Sequence, residues 1–168
     1  GFTVLFAATG EEETSHGRKR LITAFLIDQD TPGFTVRDGY RNVSHRGYTN
    51  AILEFNDCRV HKSQILGEEH RGFEVANEWL GATRLQVAAT CLGRAERALG
   101  HAKQWAVDRK QFGQQIGKFQ GVSFKLADMA LELKAAELLT LEAAWKFDQG
   151  TVTDMDMAMA KLKASEML

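Results

Sequence analysis

The spacing of apolar residues changes once along the chain, and this change restricts the possible folds more than any other feature. Up to about residue 68, apolar and polar residues alternate, as in Phe2, Val4 and Phe6. From about residue 72 onward, apolar residues recur at the spacing of helical turns. Alternation is typical of half-buried antiparallel strands, and the longer period is typical of amphipathic helices. The sequence therefore predicts an α+β fold, with part of an antiparallel β domain over residues 1–68 and part of an up-and-down α-helical bundle over residues 69–168.

Four segments of the first part have strand character, and turn residues separate them. They are residues 1–9, 21–28, 33–38 and 51–60. The charged run GEEETSHGRKR, between the first two, is predicted to be a solvated hairpin loop. The sequence Pro-Gly before the third predicts a turn. Because the chain starts inside a strand pattern and stops inside an uncapped helix, we expect it to be part of a longer protein.

Two long helices and the beginning of a third are predicted in the second part. The first spans about 72–109 and the second about 118–149. Thr153 is the predicted N-cap of the third, with Asp156 at the capping-box position. The second helix carries two apolar stripes, and one is predicted to face its own bundle and the other a neighbouring subunit. The members of one are Phe119, Val122, Leu126, Met129, Leu133 and Ala136. The members of the other are Phe124, Ala127, Leu131, Leu138 and Trp145.

Charge and motif content argue against several classes of protein. The 21 Lys and Arg nearly balance the 22 Asp and Glu, so neither a nucleic-acid partner nor an anionic membrane surface is expected. No apolar run is long enough to predict a membrane span. The five histidines lack metal-ligand spacing, and Cys58 and Cys91 are interpreted as reduced, structural thiols. The motifs G-x-S-x-G and G-x-G-x-x-G are absent from the sequence, which argues against hydrolase and Rossmann chemistry.

The segment that joins the two long helices has an unusual composition for a linker. Residues 109–120, RKQFGQQIGKFQ, carry cations and two phenylalanines beside the glycines that a turn needs. An arginine can make forked hydrogen bonds to phosphate oxygens, so Arg109 is a candidate anion ligand. The alternative is a cation placed at a helix C-terminus by the helix dipole.

Six segments of the chain, in this order, resemble acyl-CoA dehydrogenases: DTPGF, LEFNDCRV, ILGEEHRGFEVA, ATRLQVAA, DRKQFGQQIGKFQ and LADMA. The resemblance covers nearly the whole chain and spans the end of the family's middle β domain and the start of its C-terminal helical domain. It implies a flavoprotein of fatty acid metabolism that uses FAD to convert an acyl-CoA to the enoyl-CoA. It also implies an electron-accepting flavoprotein as partner, a homotetramer built as a dimer of dimers, and location in the bacterial cytoplasm or the mitochondrial matrix.

The resemblance also implies roles for individual residues. Arg109, Gln111, Phe112 and Gln120 correspond to cofactor-binding positions in the inter-helix loop, which contacts the FAD of a neighbouring subunit. Phe112 could instead be a packing plug, and Gln120 could simply face solvent. Arg84 is implied to bind either the coenzyme A end of the substrate or the carboxylate network near the thioester, with a buried salt bridge to the β domain as the alternative.

No catalytic residue is assigned within the chain. Thr83 stands where the isovaleryl-type branch of the family carries its catalytic glutamate, and a threonine cannot act as a carboxylate base. We therefore expect these 168 residues alone to be inactive. An acyl-CoA oxidase or flavin monooxygenase of the same fold, or a noncatalytic helical scaffold, remain as alternative functions.

Overall fold

The structure, a computed structural model, describes residues 1–43, 46–47 and 49–168. His45, one of the five histidines, lies outside the described residues. The chain divides into two compact units, Gly1–Asn77 and Glu78–Leu168. Strands make up most of the first unit, and the second is helical. The predicted α+β class is therefore confirmed.

Two antiparallel sheets build the first unit. Strands β1 (Phe2–Thr14) and β2 (Gly17–Asp28) form a long hairpin, and β5 (Ile65–Leu66) pairs with the other edge of β2. Strands β3 (Phe34–Arg41) and β4 (Thr49–Phe55) form the second sheet. A 3-10 turn at Lys62–Gln64 leads into β5.

The predicted Pro-Gly turn lies directly before β3. The amide of Phe34 donates to the carbonyl of Thr31 over 3.0 Å, and Gly33 has a φ of 85°. Glycine adopts this left-handed conformation without the steric cost that a side chain brings. The turn sets Phe34 opposite Phe55, and the two rings stack with centroids 4.7 Å apart. This part of the sequence prediction is confirmed.

The prediction of a loop at residues 10–20 was wrong. Strands β1 and β2 continue through this run, with Glu11, Glu12 and Glu13 in register with Arg20, Lys19 and Arg18. Only Ser15 and His16 lie between the two strands. Opposite charges at facing positions stabilise a hairpin that is exposed on both faces, so the strands need no buried apolar side to persist.

The helices occur close to their predicted positions. They are α1 (Gly72–Asp108), α2 (Gln120–Asp148) and α3 (Asp154–Met167). Five alanines, which allow helices to approach closely, form the buried centre of this unit: Ala88, Ala136, Ala143, Ala160 and Ala164. Both cysteines are free thiols, as predicted. In the described part of the chain, none of the helices is long and apolar enough to cross a membrane.

The predicted capping box at the start of α3 is confirmed. The hydroxyl of Thr153 accepts from the amide of Asp156, and the Asp156 carboxylate accepts from the amide of Thr153. Lys146, on the last turn of α2, donates to the same carboxylate over 2.8 Å. The cap and the ion pair together fix the corner between α2 and α3.

Asp156 makes the stability of this corner sensitive to acid. Hydrogen bonds from Lys146 and then from Thr153 lower the pKa of its carboxyl from 3.8 to about 2. Because the folded-state pKa lies below the unfolded value, the stabilisation is present above about pH 4 and is lost as the pH falls toward about 2. We expect Asp156→Asn to melt below the wild type near neutral pH, and this difference to shrink between about pH 4 and pH 2. A difference in melting temperature that stays constant with pH would contradict this assignment.

Candidate functional site

The linker between α1 and α2 is a tight β-hairpin. Strands β6 (Lys110–Gln111) and β7 (Gln114–Gln115) pair antiparallel, with two residues between them. A 3-10 turn at Ile116–Lys118 then leads to the start of α2. The amide of Ile116 donates to the carbonyl of Arg109 over 2.9 Å and closes the hairpin at its base. Every side chain of this short segment is therefore held on an ordered backbone.

Phe112 and Gly113 form the tip of this hairpin. Both have positive φ, 50° and 78°, which is the geometry that two-residue hairpin turns prefer. A phenylalanine in this conformation is uncommon and carries a steric cost. Its ring is 92% exposed and makes an edge contact with Phe119, with centroids 6.2 Å apart. Phe112 is thus presented to the outside and is not packed between the helices.

Arg109 lies at the base of the hairpin, directly after α1. Its amide donates to the carbonyl of Trp105 over 2.9 Å, so its backbone continues the last helical turn. The carboxylate of the preceding Asp108 accepts from Gln104 with both oxygens, each over 3.0 Å. Among the residues that the structure describes, no carboxylate pairs with the Arg109 guanidinium. Its forked donors are therefore available to an anion.

The two candidate glutamines flank the exposed ring along the chain. Gln111 is in register with Gln114 at the turn, and Gln120 is the first residue of α2. The carbonyl of Phe119 accepts from the amides of Val122 and Ser123 and so fixes the start of that helix. Gln111 and Gln120 are both exposed. The structure places Arg109, Gln111 and Phe112 on one hairpin, and Gln120 follows the 3-10 turn that leads out of it.

Arg84 lies elsewhere on α1. From Arg84 to the end of the helix at Asp108 the axis rises by about 36 Å. Its side chain is 39% exposed, and its Nη1 is 3.4 Å from a carboxylate oxygen of Asp154. This ion pair lies within the helical unit and does not involve a β strand. The neighbouring Thr83 donates to the carbonyl of Trp79 over 3.0 Å, an ordinary helix contact.

The chemistry of the hairpin fits a ligand that combines a diphosphate with flat rings. An unpaired guanidinium suits phosphate oxygens, an exposed aromatic ring offers a surface for stacking, and the glutamine amides can donate or accept. FAD contains both a diphosphate and flat ring systems. The sequence analysis selected these side chains but did not predict that they lie on a β-hairpin. The Phe-Gly pair between glutamines was the signal from which the hairpin could have been predicted. Within the described residues, no cluster of three or more potential metal ligands is present.

Comparison with protein families identifies one match over most of the helical part. Residues 70–168 match the model of the acyl-CoA dehydrogenase C-terminal domain. The mitochondrial short-chain specific acyl-CoA dehydrogenase of Mus musculus is 40% identical over 164 residues, which is 98% of this chain and 39% of that protein.

Comparison with solved structures extends the similarity to the β part. Butyryl-CoA dehydrogenase from Megasphaera elsdenii superposes with a TM-score of 0.85 at 39% identity, covering 99% of this chain and 42% of that one. PigA with FAD and proline superposes with a TM-score of 0.79 at 33% identity, covering 87% of this chain and 38% of that one. The chain thus spans about two fifths of the length of these relatives.

Proposed function

The chain belongs to the acyl-CoA dehydrogenase family, and from this membership we propose that the whole protein is an FAD-dependent oxidoreductase that converts an acyl-CoA to its enoyl-CoA. In the family's terms, residues 1–68 are the end of the middle β domain and residues 69–168 the start of the C-terminal helical domain. FAD, when bound, accepts the hydride that leaves the β-carbon of the acyl chain.

The hairpin between α1 and α2 is the observation that supports the proposal most directly. Arg109 would hold the diphosphate of FAD with its forked donors, and Phe112 would cover the adenosine or ribityl part. Gln111 and Gln120 would donate or accept hydrogen bonds beside it. A hairpin that serves only as a linker has no reason to expose an aromatic ring in a strained conformation at its tip.

Arg84 would bind the acyl-CoA substrate. About 36 Å of helix separates it from the hairpin, so one compact catalytic centre cannot use both from the same subunit. The arrangement supports a hairpin that binds the FAD of a neighbouring subunit, in a dimer of dimers. Thr83, next to Arg84, donates within its own helix and offers no base for the α-proton. We therefore propose that residues 1–168 alone are inactive.

The remaining partners follow from the family. Acyl-CoA would be the substrate, and a separate flavoprotein would accept the electrons. The relatives named above come from a mitochondrion and from a bacterium. We propose the mitochondrial matrix or the bacterial cytoplasm as the corresponding location, in fatty acid metabolism.

A single set of measurements on the whole protein tests this function. Purified protein is expected to show flavin absorbance and to reduce an electron-accepting dye when butyryl-CoA is added without oxygen. Rapid turnover in air without a dye would instead indicate an oxidase or monooxygenase of the same fold. Protein that stays colourless after incubation with FAD would indicate a noncatalytic scaffold. Bleaching of bound flavin by butyryl-CoA, with slow reoxidation in air, is the result expected of a dehydrogenase.

A further inference from the structure

Arg84 takes its ionic partner from a neighbouring helix and not from its own. Side chains three and four positions away are the ones that a helical residue normally meets on its own helix, and at Arg84 none of these is charged or polar. They are Leu80, Gly81, Val87 and Ala88. Among the residues that the structure describes, the one carboxylate that pairs with Arg84 is that of Asp154, at the start of α3. The position of the guanidinium therefore depends on where α3 begins.

A close approach of α1 and α3 brings these two side chains together. A side-chain carbon placed on Gly81 would lie 2.9 Å from Cε and 3.3 Å from Sδ of Met157, so the methionine fills the space that the glycine leaves open. Met157 is 7% exposed and thus held by packing. Arg84 lies about one turn after Gly81 along α1, and Asp154 lies about one turn before Met157 along α3. The packed contact therefore sets the distance between Arg84 and Asp154.

The ion pair uses only one edge of the guanidinium. Nη1 of Arg84 is 3.4 Å from Oδ1 of Asp154, and in the described part of the chain the Arg84 side chain makes no further hydrogen bond. A guanidinium has five N–H donors, and this side chain is 39% exposed. The contact therefore orients the group and leaves most of its donors for a ligand.

Asp154 is not required for the cap of α3. Thr153 and Asp156 form the capping box, and Lys146 donates to Asp156. The side chain of Asp154 is 89% exposed, and an exposed ion pair adds little to folding stability. An acidic residue in the first turn also interacts favourably with the helix dipole. The dipole does not explain why this carboxylate stands opposite Arg84.

We propose that Asp154 is a positioning residue that holds Arg84 ready to bind its ligand. This inference rests on the proposed function, in which Arg84 contacts either the coenzyme A end of the substrate or a carboxylate near the thioester. An arginine side chain has many rotamers, and ligand binding restricts them at a cost in affinity. Because Asp154 already restricts the guanidinium, less of that freedom is lost on binding. In this role Asp154 acts through Arg84 and does not itself touch the substrate.

Steady-state kinetics of the whole protein with butyryl-CoA test this role. Asp154→Asn keeps the size of the side chain and removes its charge, and we expect it to lower kcat/KM about three- to fivefold, as for the loss of an exposed ion pair. Asp154→Glu is expected to recover part of this loss, since it restores a carboxylate on a longer side chain. A raised KM would identify the substrate as the ligand of Arg84, and a lowered kcat at unchanged KM would identify the carboxylate near the thioester.

Two comparisons separate positioning from an effect on folding. Glu166→Gln removes an exposed carboxylate from the last turn of α3 and is expected to leave kcat/KM unchanged. In an Arg84→Gln background, Asp154→Asn is expected to have no further effect, because the residue through which Asp154 acts is absent. The melting temperature of each variant shows whether it is folded.

Three results would overturn the positioning role. One is an unchanged kcat/KM in Asp154→Asn, and another is a raised kcat/KM, since Asp154 would then compete with the ligand for Arg84. The third is an equal loss in the Arg84→Gln background, which would show that Asp154 does not act through Arg84. All three leave the proposed function standing, because the wild type still oxidises butyryl-CoA. A wild type that oxidises no acyl-CoA would overturn the proposed function, and the positioning role with it.

Discussion

Arg109→Ala is expected to lower the affinity of the whole protein for FAD by about ten- to a hundredfold. The guanidinium stands at the base of an ordered hairpin, and the nearest carboxylate along the chain, that of Asp108, is occupied by Gln104. A charge-assisted hydrogen bond to phosphate contributes about 1.5–3 kcal/mol to binding, which corresponds to that range of affinities. The measurement is flavin content after gel filtration, together with FAD titration of the apoprotein.

Control variants separate a cofactor contact from a general effect of charge. Arg109→Lys is expected to recover only part of the affinity, because an ammonium group cannot make the forked contact. Lys103→Ala, which removes an exposed cation from the same helix, is expected to retain flavin. Enzyme that still holds FAD after Arg109→Ala should turn over at nearly the normal rate. Unchanged flavin content in Arg109→Ala would show that Arg109 does not bind FAD and serves only as a cation at the C-terminus of a helix.

The helical half of the fold could be predicted closely from the sequence. Its periodic apolar residues extend over many turns, and the structure places α1 at Gly72–Asp108 and α2 at Gln120–Asp148, within two residues of the predicted bounds. The cap at Thr153 was predictable because its partner Asp156 lies at a fixed spacing. Local hydrogen bonding and one-dimensional periodicity determine these features, so a single sequence contains the information.

The charged hairpin could not be predicted by the same reasoning. Its residues 11–20 are all exposed, so the alternation of apolar and polar residues that signals a half-buried strand is absent there. Glu11 and Glu13 form ion pairs with Arg18 on the other strand, over 3.7 and 3.9 Å, and these pairs can be recognised only when the register is known.

The residues of the candidate cofactor site were predicted from the sequence, but their backbone conformation was not. Arg109, Gln111, Phe112 and Gln120 were selected by their resemblance to a family, and their roles in binding stay predictions. The sequence did not reveal that Phe112 itself takes up a left-handed conformation, because bulky residues rarely do so. Gly113 was the expected turn residue, and its φ of 78° agrees with that expectation.

Charge placed on the outer stripe of α2 is expected to dissociate the whole protein. Phe124, Leu131, Leu138 and Trp145 recur every seven residues and are 61, 68, 56 and 62% exposed. They cover about 32 Å of helix, whereas Ala136, Thr140 and Ala143 are the residues of α2 that are buried. An apolar row of this length is a typical subunit contact. We therefore expect the double variant Leu131→Glu, Leu138→Glu to sediment as a smaller species than the wild type at micromolar concentration.

The loss of association should be large, because each substitution occurs in both subunits of a symmetric contact. Burying a leucine contributes about 1.5–3 kcal/mol, and a glutamate in its place brings an unpaired charge into the contact. Leu162→Glu on α3, an identical change at 59% exposure, is the control and is expected to leave the assembly intact. A wild type that sediments as a monomer would contradict the assignment. So would a double variant that melts at a lower temperature without a change in size, since the stripe would then be packed inside one subunit.

Flavin content of the same double variant connects the interface to the hairpin. Because only a short 3-10 turn separates the hairpin from α2, a contact along α2 would determine where a neighbour's cofactor meets Arg109 and Phe112. If the hairpin binds the FAD of the adjoining subunit, dissociation must remove that contact even though every hairpin residue is unchanged. We therefore expect the Leu131→Glu, Leu138→Glu protein to lose FAD about as readily as Arg109→Ala does. Full retention of FAD by a dissociated protein would show that the hairpin serves the cofactor of its own subunit or none at all.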